Sequence, residues 1–158
     1  MRSVIALLVL LFASPTFAFE CAADKLRLEW QGGSVEFTVD VADDAEERAQ
    51  GLMFVDSMPR FSGMLFVYPE PQNFIAFWMR NTLIPLDMLF FDERGVLKKI
   101  HENAVPLDET SIPGGQYIQY VLEINGGMSE RLRIQDGAVL VSSAIDQTRA
   151  FRPCQKPE

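Results

Sequence analysis

Seven side chains of this sequence could carry chemistry: Arg48, Trp78, Arg80, Asn81, Thr82, Asp87 and Glu123. Each sits in apolar company. Asp87 lies between Leu86 and the run Met88-Leu89-Phe90-Phe91, and on a strand it would share a face with Leu89 and Phe91. Glu123 would share a face with Val121 on a strand that is otherwise largely apolar. Arg80-Asn81-Thr82 follows directly on Phe77-Trp78-Met79. An isolated charge in an apolar interior costs many kcal/mol, so such groups must pair with one another or line a cleft. In the paired arrangement Asp87 and Glu123 neutralise Arg48 and Arg80, and Asn81-Thr82 organises the turn before Pro85. In the cleft arrangement the groups surround Trp78 in a shallow pocket. A flat aromatic face with directional polar groups suits a carbohydrate or another small polar ligand. A third possibility is hydrolysis of glycans by Asp87 and Glu123 acting as a carboxylate pair. All three expect Arg48, Asn81, Asp87 and Glu123 to converge on Trp78.

Other chemistries lack their residues. The sole histidine, His101, cannot serve a Cys-His dyad if both cysteines are bonded, and no Gly-x-Ser-x-Gly elbow accompanies it. One histidine and no free thiol fall short of a zinc site. There is no phosphate loop and no dinucleotide fingerprint, and no cofactor is expected. Met53, Met58, Met64, Met79 and Met88 fall within 36 residues. Thioether sulfur is a soft Cu(I) ligand, which opens a copper-handling alternative. Methionine also fills irregular cores, and no Met-x-Met spacing brings two sulfurs together on one segment, so core filling is the expectation.

The elements that must position these groups are mostly strands. Period-2 alternation runs through Leu26–Trp30, Val35–Val41 and Tyr117–Ile124, and apolar runs cover Met64–Tyr68, Phe74–Met79 and Leu86–Phe91. Val96–Ile100 and Ala138–Ser142 complete eight candidate strands, separated by turn signals such as Gln31-Gly32-Gly33-Ser34 and Asp92-Glu93-Arg94-Gly95. This pattern predicts a mainly β fold, an antiparallel β-sandwich or open barrel. One principal helix is predicted near Asp44 to Leu52, capped by Asp43 or Asp44, with Ala45, Ala49 and Leu52 as its inward stripe and Arg48 at the border. Ser129 to Ile134 reads as a short second helix.

The ends of the chain suggest an address. Arg2 precedes ten apolar residues, Val4 to Ala13, and Thr16-Phe17-Ala18 offers a small residue at both positions that signal peptidase reads. The run is too short for a membrane-spanning anchor, which needs about 20 apolar residues. Residues 1–18 are therefore expected to be a cleavable signal, leaving residues 19–158 as a single exported domain, periplasmic or secreted, without a membrane anchor. Cys21 and Cys154, at its two ends, are expected to form a disulfide in an oxidising compartment. The net charge of −8 for the whole chain disfavours nucleic acid as a partner. A monomer or weak oligomer is expected.

Four strings, in order, carry a resemblance to a known family. They are Glu47-Arg48 with Gly51-Leu52-Met53, then Gly63-Met64-Leu65-Phe66, then Phe77-Trp78-Met79-Arg80-Asn81-Thr82 with Pro85-Leu86-Asp87, then Tyr120-Val121-Leu122-Glu123 with Gly127. Together they resemble the domain-of-unknown-function 192 family over about Val35 to Val141. The resemblance implies a compact, mostly β domain, often exported, with no assigned reaction and no catalytic residues to carry over. That family often has lysine where this chain has Arg80, which keeps the charge.

Overall fold

The computed structural model describes residues 19 and 21–154; the expected signal segment lies outside the described residues. Nine strands and two helices follow one another as β1 (Lys25–Trp30), β2 (Gly33–Ala42), α1 (Ala45–Gln50), β3 (Ser62–Gln72), β4 (Ile75–Phe77), β5 (Leu86–Asp92), β6 (Leu97–Ala104), β7 (Ile112–Gly115), β8 (Ile118–Asn125), α2 (Met128–Leu132) and β9 (Val139–Ser142). Seven strands form one sheet in the order β6-β5-β8-β3-β2-β1-β9, and β4 pairs with β7 in a separate ribbon. The large sheet curls until its edges touch: Val96 bridges Val139, and Leu140 N–H donates to Gly95 O at 2.8 Å. This is the open barrel expected from the alternation.

Most pairs are antiparallel, but β2 and β3 run parallel, Val39 opposite Gly63 and Val41 opposite Leu65. Parallel neighbours cannot be joined by a hairpin and need a crossover, and residues 43–61, which contain α1, supply it. Asp44 caps α1 through a reciprocal capping box with Glu47. The inward stripe expected of this helix is corrected here: Ala45 and Ala49 are exposed, and no residue of α1 is buried. The helix is too short for a packed stripe. It turns Arg48 toward the sheet instead, and only Leu52, just beyond it, is buried.

Two apolar clusters use opposite faces of the same strands. Leu26, Phe37, Leu65, Leu89, Leu122 and Leu140 fill the inside of the curl. Phe66, Met88, Phe90 and Val121 point outward and are covered by Leu52, Met79 and the β4–β7 ribbon. The strand β7, with its sequence Ile-Pro-Gly-Gly, was not anticipated, since such composition reads as a turn. Gly114 explains its place: a Cβ there would meet Phe90 at 2.3 Å, so only glycine lets the ribbon lie on that ring. β3 also continues past Pro69 to Gln72, with Gln119 Nε2 donating to Tyr68 O at 3.0 Å where the ladder is irregular.

Cys21 and Cys154 are bonded, closing 133 residues of sequence separation and tying the chain ends beside β1 and β9. Closing a loop of that length stabilises the fold by about 4–5 kcal/mol if the effect is mainly on the unfolded chain. Urea unfolding of the oxidised chain and of a Cys21→Ser/Cys154→Ser double variant should differ by that order. A difference below about 1 kcal/mol would mean that the barrel holds its ends without the bond.

Candidate functional site

The strand β8 lies in the middle of the sheet between β5 and β3 and is buried from Ile118 to Ile124. Glu123 stands opposite Met64 on β3 and Met88 on β5, so its side chain joins the outer face. Ile124 stands opposite Asp87, and that pair faces the inside of the curl. The two carboxyl groups are thus adjacent along the sheet but on opposite faces of it.

Asp87 is fully buried and fully engaged. Its Oδ1 accepts from Asn103 N–H at 2.7 Å and Gly127 N–H at 2.8 Å, and its Oδ2 accepts from Ser129 N–H at 2.7 Å and Ser129 Oγ at 2.6 Å. Two of these donors belong to the open amino end of α2, which has no side-chain cap of its own. Asp87 serves as that cap from another strand, and α2 inserts Met128 into the inner cluster. The expected meeting of Asp87 with Trp78 and the arginines is therefore corrected, and with it the carboxylate pair. The alternation of β5 sends Asp87 inward, where four donors occupy it.

Arg48, Trp78, Thr82 and Glu123 do converge. They line a pocket of about 40 Å³ with walls from Leu52, Phe66 and Phe77. Space of that size takes a small functional group or a few waters, not a whole sugar ring. Gly51 ends α1 at φ 49° at the pocket edge, a conformation that favours glycine. Arg48 Nη1 donates to Asp43 O and to Val67 O at 2.8 Å, and the guanidinium lies 5.0 Å from the centre of the Tyr68 ring. Arg80 stacks on Trp78 at 5.5 Å. Neither arginine reaches a carboxylate among the described residues, so the expected mutual pairing is replaced by carbonyl and aromatic contacts. Trp78 keeps 45% of its surface exposed at the rim. Asn81, at φ 56°, accepts Phe54 N–H at 2.8 Å and turns its amide to Met53 sulfur at 3.8 Å, so it shapes the rim without reaching the floor. Buried Thr82 makes a long bond to Arg80 O at 3.4 Å.

Glu123 forms the floor. It retains 4% exposure and has no hydrogen-bond donor or cation partner among the described residues. Burial pushes its carboxyl up to about 8 from an ordinary 4.5, so at neutral pH it holds a proton. Tyr68, the residue under Arg48, reads in the sequence only as the end of an apolar strand. Its hydroxyl is raised above 10 first by burial, with Arg48 opposing and Glu123 adding to the shift. Phe66 and Phe77, at 5.1 Å edge to face, read in the sequence as ordinary core. Met79 and Met88 are fully buried in the outer cluster, with Met58 and Met64 packed against it, the placement of space-filling side chains.

The DUF192 family profile (Uncharacterized ACR) matches residues 27–142. The chain belongs to the DUF192 family. A solved Sinorhizobium meliloti protein, named as a candidate transcription regulator, is similar at 38% identity with a TM-score of 0.74, covering 81% of this chain and 99% of that one. A protein of unknown function from Novosphingobium aromaticivorans is also 38% identical, with a TM-score of 0.71 over 73% of this chain and 82% of that one. No curated protein matches the sequence. All four sequence strings that carry the DUF192 resemblance meet at the pocket: Arg48 and Leu52 come from the first, Phe66 from the second, Trp78 and Thr82 from the third and Glu123 from the fourth.

The two acids should respond oppositely to change. Asp87→Ala would strand four donors around α2 and should cost about 3–5 kcal/mol. Glu123 has a folded value above its unfolded one, so its contribution favours the fold most below about 4.5 and is lost as pH rises toward about 8. Chemical unfolding between pH 5 and 9 should therefore show the wild type losing on the order of 3 kcal/mol relative to Glu123→Gln. A difference that stays flat across that range would mean Glu123 is ionised in the folded chain.

Proposed function

We propose that this DUF192 protein is an exported, non-enzymatic binding or accessory protein that holds a small polar ligand, carbohydrate-like in its mixture of flat and hydrogen-bonding surface, against Trp78 with one group inserted beside Glu123. The observation that carries the reading is the convergence of four separated sequence strings on one pocket whose floor is a buried acid without a partner. A core acid retained only for packing would be expected to have donors, as Asp87 does. The small volume implies that most of the ligand stays outside, on the exposed face of Trp78. Binding without turnover is favoured because Glu123 has no second carboxylate beside it, Asp87 being committed to α2. The Cys21–Cys154 bond suits an oxidising compartment, which supports export.

Titration with neutral sugars, organic acids and amines, followed by tryptophan fluorescence, tests the reading. At least one ligand should give a saturable change that Arg48→Ala, which keeps the Trp78 fluorophore, removes while the variant unfolds within about 1–2 kcal/mol of wild type. Trp30, outside the pocket, should contribute a constant background in both proteins. Release of a hydrolysis product at a rate that falls on Glu123→Gln would replace binding by catalysis.

A further inference from the structure

We propose that the pocket receives a single carboxylate group, supplied by a small organic acid or by the C-terminus of a peptide, with Arg48 as its charged fork and Glu123 as an acid that donates a hydrogen bond to it. The inference rests on the binding reading above and names its ligand.

Arg48 is held in advance of any ligand. Its Nη1 is fixed by Asp43 O and Val67 O, and the plane rests on Tyr68. Among the described residues nothing accepts from Nε or Nη2, the edge that matches a carboxylate with two parallel hydrogen bonds. A guanidinium so anchored loses little freedom on binding, unlike an exposed lysine.

Charge at the site points the same way. The whole chain carries −8, yet the pocket lining contains one cation and one acid. Arg48 from α1 lines the pocket with Glu123, Tyr68 on β3 feels the charge of both, and Arg80 lies on Trp78. Met64 and Met88, its neighbours in the sheet, carry no charge. Burial keeps the Glu123 carboxyl protonated up to about 8 and Tyr68 neutral beyond 10, so at neutral pH the site is a cluster of donors with net positive charge. An amine would find an acceptor in ionised Glu123 but would face Arg48. A sugar hydroxyl would satisfy Glu123 and leave the guanidinium edge unused. A carboxylate satisfies both, and the proton between it and Glu123 forms a short, charge-assisted bond. A volume of about 40 Å³ accommodates that one group, leaving the body of the ligand on Trp78.

Calorimetric titration of the disulfide-bonded chain with benzoate, benzamide, benzylamine and methyl glucoside tests the assignment. Benzoate should bind at pH 6–7 at least tenfold more tightly than the other three. Arg48→Lys, which keeps the charge but not the fork, should weaken benzoate about tenfold, and Glu123→Ala, which removes the donor, should weaken it by a comparable factor. Affinity should fall as pH rises through about 8 in the wild type and much less in Glu123→Gln. Ala-Ala-Phe with a free or an amidated C-terminus separates the two sources: preference for the free peptide over benzoate, lost on amidation, assigns the group to a peptide end. Binding of benzylamine or methyl glucoside that Trp78→Ala abolishes, with benzoate inert, would overturn the carboxylate and leave the pocket. Absence of binding by every probe would overturn the binding reading as well.

Discussion

A strand covered on both faces has no solvent side on which to place a charge, and β8 is such a strand. It occupies the middle of the seven-stranded sheet, with the inner cluster on one face and the outer cluster on the other. Whatever polar group it carries must be neutral, paired or kept for something that comes from outside. Glu123 is that group. The curl of the sheet, the ribbon lying on Phe90 and the crossover through α1 together create the outer cover that desolvates it. Gly63 on β3 belongs to the same constraint: a Cβ there would meet the backbone oxygen of Glu123 at 2.4 Å, so neighbouring strands could not close around the acid with any larger residue.

Asp87 and Glu123 show how one residue of register gives two acids opposite surroundings. They sit on paired strands, one step apart, and both are removed from water. Asp87 faces the inside of the barrel, where the uncapped end of α2 brings donors to both its oxygens. That end is fixed as the carboxylate is satisfied, and the bonds couple the turn after β8 to β5 and to the end of β6. Glu123 faces the other way, toward a wall of aromatic and aliphatic side chains with no donor to offer. Desolvation therefore acts on it without compensation, and the proton stays. The same functional group is thereby a hydrogen-bonded staple in one case and a desolvated, protonated acid in the other.

Loops beside the pocket hold their backbone in uncommon conformations. Phe54, Asn81 and Leu107 all have positive φ, and each is tied to its neighbours: Phe54 N–H donates to Asn81 O, and Leu107 N–H to Thr82 O. Left-handed backbone at an exposed phenylalanine is unfavourable locally and persists because the surrounding bonds determine it. Phe54, Trp78 and Leu107 are all exposed.

Sequence alone determined the mainly β content, a helix start at Asp43 or Asp44 and the pairing of Cys21 with Cys154, because alternation, capping residues and cysteine count are local or compositional signals; between sandwich and open barrel it left the choice open. It also placed Asp87 with Leu89 and Glu123 with Val121 on their own strands, since period 2 fixes faces within a strand. It could not say that Met88 rather than Asp87 lies opposite Glu123, because register between strands depends on which edges meet after the sheet curls. For the same reason the balance of two arginines and two acids suggested mutual pairing that does not occur. The parallel joining of β2 to β3, the ribbon containing Ile112–Gly115 and the packing of Tyr68 under Arg48 likewise arise from contacts between distant segments. Only the tertiary structure decides which buried acid is given donors and which is left facing a pocket, since desolvation and hydrogen-bond supply are set by neighbours that the chain brings together on folding.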